Sequence, residues 1–156
     1  MSHIDTSIEV DVPVRTAYNQ WTQFEQFPRF MDGVRQVRQL DERRLEWHAE
    51  IGGKEVIWRA EITEQIPDAR IAWHSTSGAH NAGVVTFHYL APSKCRVMLQ
   101  LAYEPEGIVE NVGDALGAAK LRIKGDLERF KKFIEARGAE SGAWRGEIHG
   151  KEVLTR

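Results

Sequence analysis

Three groups of side chains in this chain could do chemistry. The titratable candidates for acid–base work are His48, Glu61, His74 and His88. The hydroxyl candidates are Ser75, Tyr89 and Tyr103, and the large rings are Trp47, Trp58 and Trp73. Acid–base catalysis needs an acid or base within hydrogen-bond reach of its substrate, usually His, Asp or Glu. Residues alternate between the faces of a strand, so parity decides which of these groups can meet a substrate.

Parity puts Leu45, Trp47, Ala49 and Ile51 on one face and Arg44, Glu46, His48 and Glu50 on the other. Next, Val56, Trp58, Ala60 and Ile62 oppose Glu55, Arg59, Glu61 and Thr63. The apolar face continues through Ile71, Trp73 and Ser75, through Val85, Phe87 and Tyr89, and through Val97, Leu99, Leu101 and Tyr103. One face is dry and the other wet. All four titratable candidates fall on the wet face, where solvent exposure is their ordinary state. A one-residue bulge would reverse that assignment over part of a strand. Tyrosine titrates near ~10 when unperturbed, so a tyrosine acid needs a cationic neighbour. No catalytic residue is assigned.

The three indoles share the dry face of consecutive strands. They read either as a stacking wall for a planar or polyprenyl-like ligand or as ordinary aromatic core. With Ser75, Phe87, Leu99, Tyr103, Val112 and Leu116 they form the expected ligand-binding set. No metal site and no cofactor are expected. His74, His80 and His88 lie close in sequence, but His80 falls in a loop and no helical two-histidine spacing occurs. Cys95 is the lone cysteine, which excludes an intramolecular disulfide, and its alternating neighbours make it a buried, inert thiol. There is no phosphate loop, nucleophile elbow or cysteine–histidine pair.

The elements that must hold these residues follow from periodicity. Thr6 to Val12 alternate as a first strand, and Pro13 then opens a short helix through Val14, Ala17, Tyr18 and Trp21 to about Gln23. Phe24, Phe27, Phe30 and Met31, interrupted by Pro28, form a second short helix or turn. Six strands follow: Val34–Leu40, Arg44–Ile51, Lys54–Gln65, Arg70–Ser75, Ala82–Leu90 and Cys95–Tyr103. Gly52-Gly53 marks a tight hairpin, and Pro67-Asp68 and Pro92-Ser93 mark further turns. Strands this close, with no helices between them, form an antiparallel meander.

From about Gly107 to Arg137 the period becomes helical. Val109, Val112, Leu116, Ala119, Ile123, Leu127, Phe130 and Ile134 form one stripe, which must lie on the dry face of the sheet. The stripe is small-residued in its first half, beside Gly113 and Gly117, and bulky in its second. The second half is expected to plug a core and the first half to roof a cavity. Residues 138–156 carry Trp144 but no periodicity and are expected to be a partly ordered tail beyond a single domain of 1–137.

At 156 residues one domain can bury a substantial core. A net charge of −2 with interspersed signs argues against nucleic-acid binding. No segment is apolar for long enough to span a bilayer, and Gly113-x-x-x-Gly117 is followed by Lys120, Arg122, Lys124 and Asp126. No signal peptide stands out, so a cytoplasmic location is expected. Oligomeric state is left open.

The pattern resembles the α+β helix-grip fold of the START/SRPBCC superfamily, which includes polyketide cyclase/dehydrase and pollen-allergen-like proteins. It is most similar to the bacterial cyclase/dehydrase branch that also contains coenzyme-Q-binding proteins. The resemblance rests on Trp21 with Phe24, Phe27-Pro28-Arg29-Phe30-Met31, Trp58-Arg59-Ala60-Glu61-Ile62, and Pro67 followed by Ile71, Trp73 and Ser75. It extends through Gly83-Val84-Val85 with Phe87 and through Tyr103 with Pro105, covering roughly residues 3 to 136. It implies a seven-stranded antiparallel sheet wrapped around the long C-terminal helix, with two short helices between strands 1 and 2. It also implies a cavity for lipids, quinones, polyketides or steroids. Three functions stay open: a carrier or sequestering protein for a hydrophobic small molecule, a cyclase or dehydratase, and an interaction module with a filled interior.

Overall fold

The computed structural model describes residues 2–51, 53–103 and 112–155, with side-chain surroundings for 3–50, 53–103 and 119–155. Strand β1 (Ser2–Val10) leads into helix α1 (Val14–Trp21) and a 3₁₀ turn at Phe24–Arg29. Strands β2 (Val34–Gln39), β3 (Arg44–Ile51), β4 (Lys54–Ile66), β5 (Arg70–Gly78), β6 (Asn81–Ala91) and β7 (Lys94–Tyr103) then precede the long helix α2 (Val112–Arg137). The order across the sheet is β1-β7-β6-β5-β4-β3-β2, with every pair antiparallel. The expected helix start near Gly107 and the stripe residue Val109 lie outside the described residues.

Local chemistry sets these boundaries. Pro13 precedes α1, where a missing N–H costs nothing, and Pro28 sits inside the 3₁₀ turn and keeps it from lengthening. Helix α2 ends on Gly138 at φ +71°, whose N–H donates to the Ile134 carbonyl at 2.9 Å. Gly125 lies off the apolar stripe, and a Cβ there would crowd the Arg129 guanidinium at 3.1 Å. That space lets Arg129 donate to the Phe30 carbonyl (3.0 Å) and to Asp126 (2.5 Å). Asp126 in turn accepts the Asp32 N–H at 3.0 Å, tying α2 to the start of β2.

The second half of α2 fills the core. Leu127, Phe130 and Ile134 are fully buried, with the Phe130 ring 5.0 Å from Trp21 and 5.2 Å from Phe30. Burying those three side chains contributes about 5–9 kcal/mol of gross hydrophobic stabilisation. Cys95, Val97, Phe87, Ile71 and Ile62 meet this end of the helix from the sheet as part of one continuous core.

Alternation breaks at four bulges, two of which matter here. One between Ile62 and Glu64 turns Gln65 inward, where it is wholly buried. Another between Tyr89 and Ala91 ends the regular ladder of β6. Tyr89, expected to face inward, is 64% exposed; it lies beyond the stretch of β6 that pairs with β5, which ends at Thr86.

The stretch after Gly138 holds two more strands, so the sheet has nine among the described residues rather than seven. Strand β8 (Glu147–His149) pairs with Glu64 and Gln65 of β4, and β9 (Glu152–Leu154) pairs with β8. Three-residue strands are too short to show a period of two. Ile148 is fully buried, and the approach to it is pinned to α1. Gln20 donates to Ser141 Oγ at 3.0 Å and accepts the Ser141 N–H at 2.8 Å, while Thr22 Oγ1 accepts the Trp144 N–H at 3.1 Å. Arg145 donates to both Asp68 oxygens, at 3.0 and 2.8 Å, and to Asn19 Oδ1 at 2.6 Å. These contacts satisfy the buried side chains of Asn19 and Gln20 on α1, which would otherwise be costly.

Candidate functional site

The inner face of the sheet is graded along its strands. At one end Ile62, Ile71, Val85, Phe87, Val97 and Leu99 are buried against α1 and the second half of α2. At the other end Val56, Trp58, Trp73, Ser75, Asn81, Leu101 and Tyr103 are only partly buried, although they point to the same side. The helix changes in step: Ala119 and Ile123 are partly buried, whereas Leu127, Phe130 and Ile134 are not exposed at all beyond a few per cent.

Trp47 and Trp58 stand opposite each other on β3 and β4. Their rings stack at 5.5 Å with 7° between planes, and Phe27 lies 5.6 Å from Trp47 on the core side. Such a stack presents a flat apolar face with large contact area. Trp73 faces Gly83 across β5 and β6. A Cβ at Gly83 would come within 2.6 Å of Trp73 Cζ2, so the indole lies across the glycine. Trp73 Nε1–H donates to Asn81 Oδ1 at 3.3 Å, and the Asn81 N–H donates to Ser75 Oγ at 3.1 Å. Tyr103 sits directly opposite Asn81 on β7. Its hydroxyl oxygen is buried and has no hydrogen-bond partner among the described residues. Burial holds that hydroxyl above its ordinary pKa of 10.0, so it is a proton-bearing donor at neutral pH.

Trp73, Ser75 and Tyr103 therefore converge at the open end, with the Trp47–Trp58 stack beside them. Phe87 and Leu99 belong instead to the packed end. Phe87 meets Tyr18 edge-on at 5.3 Å and Trp21 at 6.2 Å, which leaves it no free face. Val112 and Leu116 lie in the first two turns of α2, but their side chains are outside the described residues. Sequence reasoning missed Asn81. Extending the alternation Gly83, Val85, Phe87 one step back would have placed it on the inner face. It also missed Gln65, whose buried amide lies beside the buried Tyr18 hydroxyl. Desolvation pushes Tyr18 up to about 12.

The titratable candidates lie on the outer face. Glu46 accepts hydrogen bonds from His48 (2.9 Å), Arg59 (3.0 Å) and Arg38 (3.1 Å), and the first two of these do most to hold its carboxyl below the usual range. Glu61 pairs with Arg43, and His74 and His88 are exposed. No carboxylate or imidazole projects from the inner positions of β3 to β7 among the described residues. Cys95 is buried at the packed end, and desolvation pushes its thiol up to about 11, far from a reactive thiolate. A groove of about 480 Å³ lies elsewhere, between the tail at Trp144 and Thr22–Gln26, and is lined by Glu25, Asp41 and Glu42. It includes no tryptophan of the inner face.

A long helix gripped by an antiparallel sheet, its inner face sealed at one end and partly exposed at the other, defines a helix-grip fold. Residues 10–132 match the family described as "Polyketide cyclase / dehydrase and lipid transport", and the chain belongs to that family. A curated relative from Streptomyces lincolnensis, an "Uncharacterized 17.2 kDa protein in melC2-rnhH intergenic region", is 54% identical over 149 residues, covering 95% of this chain and 99% of the relative. That coverage cannot be reached without part of the C-terminal tail. Among solved structures, the Zhui aromatase/cyclase of a Streptomyces species superposes with a TM-score of 0.75 at 14% identity, over 91% of this chain and 98% of that one. A START superfamily protein of Mycobacterium smegmatis gives 0.68 at 15% identity, over 81% and 97%. At such identities these likenesses speak for the fold.

Proposed function

We propose that the protein is a cytoplasmic carrier or sequestering protein that binds one hydrophobic small molecule between the inner sheet face and the first half of α2. The ligand classes are a lipid, a quinone or a polyketide-like molecule. The observation that carries this reading is the burial gradient: seven inner-face residues remain partly exposed beside a core that is otherwise sealed. An apolar face of this kind loses free energy to water unless something covers it. Trp47, Trp58 and Trp73 supply the contact area, with Ser75 and Tyr103 at the polar end and Val112 and Leu116 as the roof. Phe87 and Leu99 support the site from the packed side.

The family description also favours a second reading, an enzyme of the cyclase or dehydratase type. Among the described residues, no inner position of β3 to β7 carries a carboxylate or imidazole, so those strands offer only hydroxyls and amides for acid–base work. Binding without reaction is therefore preferred. Native mass spectrometry of protein purified gently from its own host, followed by organic extraction, tests it. A one-to-one adduct with an unmodified apolar molecule is expected. Protein that neither carries nor takes up any apolar compound would end the carrier reading, and release of a chemically altered compound would favour the enzyme.

A further inference from the structure

The open end of the inner face is apolar except for one small group on three neighbouring strands: Ser75 on β5, Asn81 on β6 and Tyr103 on β7. Their hydrogen-bonding capacity is unevenly used. Asn81 Oδ1 is taken by the Trp73 indole, and one Nδ2–H goes to the Ala79 carbonyl at 3.2 Å, leaving the second Nδ2–H. Ser75 Oγ accepts the Asn81 N–H, so its own proton is free to donate. The Tyr103 hydroxyl is buried with neither of its roles filled among the described residues. Three protons remain on offer, two from hydroxyls and one from an amide, beside the open acceptor role of the Tyr103 oxygen.

A buried donor without an acceptor is costly, so this end of the inner face is complete only when an acceptor arrives. We infer that Tyr103, in a row with Asn81 and Ser75 across β7, β6 and β5, is a donor clamp for a carbonyl-type oxygen carried at one end of an otherwise apolar ligand. The ligand class is thereby narrowed from any hydrophobic molecule to a ketone, quinone or ester-like one, oriented with its oxygen towards β5–β7 and its body along the Trp47–Trp58 stack. A plain hydrocarbon would leave the donors unpaired, and a ligand presenting only N–H or O–H donors to them would fit less well. The inference rests on the proposed hydrophobic site and specifies its polar end.

The test is equilibrium dialysis of the parent and Tyr103→Phe against two probes of nearly equal shape, 2-acetylnaphthalene and 2-ethylnaphthalene. Tyr103→Phe is expected to weaken the ketone about tenfold, the size of a well-made hydrogen bond, and to change the hydrocarbon less than twofold. Thermal unfolding of both unliganded proteins accompanies it, and the variant is expected to be no less stable, since it loses only an unpartnered hydroxyl. If both probes bind and the variant holds the ketone as well as the parent does, the clamp is wrong while the hydrophobic site stands. If the parent retains neither probe, both fall. A marked loss of stability in the variant would mean that the hydroxyl already has a partner within the protein, and would overturn the clamp as well.

Discussion

Gly83→Ala is the smallest change that should disturb the open end of the site. The added methyl would sit 2.6 Å from Trp73 Cζ2, 3.0 Å from Cη2 and 2.9 Å from the Gln100 carbonyl oxygen. Comfortable carbon contacts begin near ~3.5 Å, so the indole must retreat by roughly 1 Å. It cannot do so freely, because its Nε1–H is bonded to Asn81 and its strand is paired on both sides. Two effects compete. Alanine restricts the unfolded chain and gains about 0.4–1 kcal/mol, whereas overpacking costs about 1–3 kcal/mol. The clash wins because one of the three close atoms is backbone and cannot swing away. A net loss of about 1–2 kcal/mol is expected, read in urea as a midpoint lowered by roughly 0.5–1 M for a slope near ~2 kcal/mol/M. Adding Trp73→Leu removes two of the three close contacts, so the double variant should be more stable than the two single losses summed would allow, by at least ~0.5 kcal/mol. A Gly83→Ala protein as stable as its parent would refute the close approach of Trp73 to the β6 backbone.

Three other expectations concern the packed end, the tail and the outer face. Phe130→Ala empties a fully buried ring position between Trp21 and Phe30 and should cost about 3–5 kcal/mol, read in chemical denaturation; a loss below ~1 kcal/mol would mean α2 does not anchor the core. Arg145→Ala removes the paired bonds to Asp68 and should lower stability by about 1–2 kcal/mol while opening residues beyond Gly138 to limited proteolysis; an unchanged digestion pattern would mean the tail is held by other contacts. Glu46→Gln should be less stable than the parent at pH 7, with the gap closing as the pH falls below about 4.5. The Glu46 carboxyl is held low by His48 and then Arg59, so its contribution is present above the unfolded value of 4.5 and lost as the folded group takes up its proton. A gap that stays constant into acid would show that the loss has nothing to do with charge.

The features legible in the sequence are those that repeat. Alternation in β3 to β7 is long enough to assign faces, and it pairs Trp47 with Trp58 on the same side, as their stacking requires. The helical stripe from Leu127 to Ile134 is equally plain, because its large residues all meet one core. What escaped the sequence is local. The bulge at Thr63 reverses parity for the last three residues of β4 and brings Gln65 inside, and no composition signal marks it. Strands β8 and β9 are too short for a period, and their docking depends on Asn19, Gln20 and Thr22, which look like surface residues until the tail covers them. Phe87 fits the dry face as expected, but only the position of α1 shows that its ring is already enclosed. Asn81 was lost to a strand boundary set one residue late. Gly125, inexplicable on a helical wheel, is explained by where the Arg129 side chain goes.

The central claim, a hydrophobic ligand against the open end of the inner face, is tested most directly through the five tryptophans themselves. In a nitrogen-15 correlation spectrum each indole N–H gives its own signal, and titration with N-phenyl-1-naphthylamine reads all five positions at once. Trp58 and Trp73 are expected to shift most and Trp47 to follow through the stack, with Trp21 in the sealed core and Trp144 at the tail groove nearly still. A spectrum in which Trp144 moves while Trp58 and Trp73 do not, or in which none moves at saturating probe, would contradict the claim.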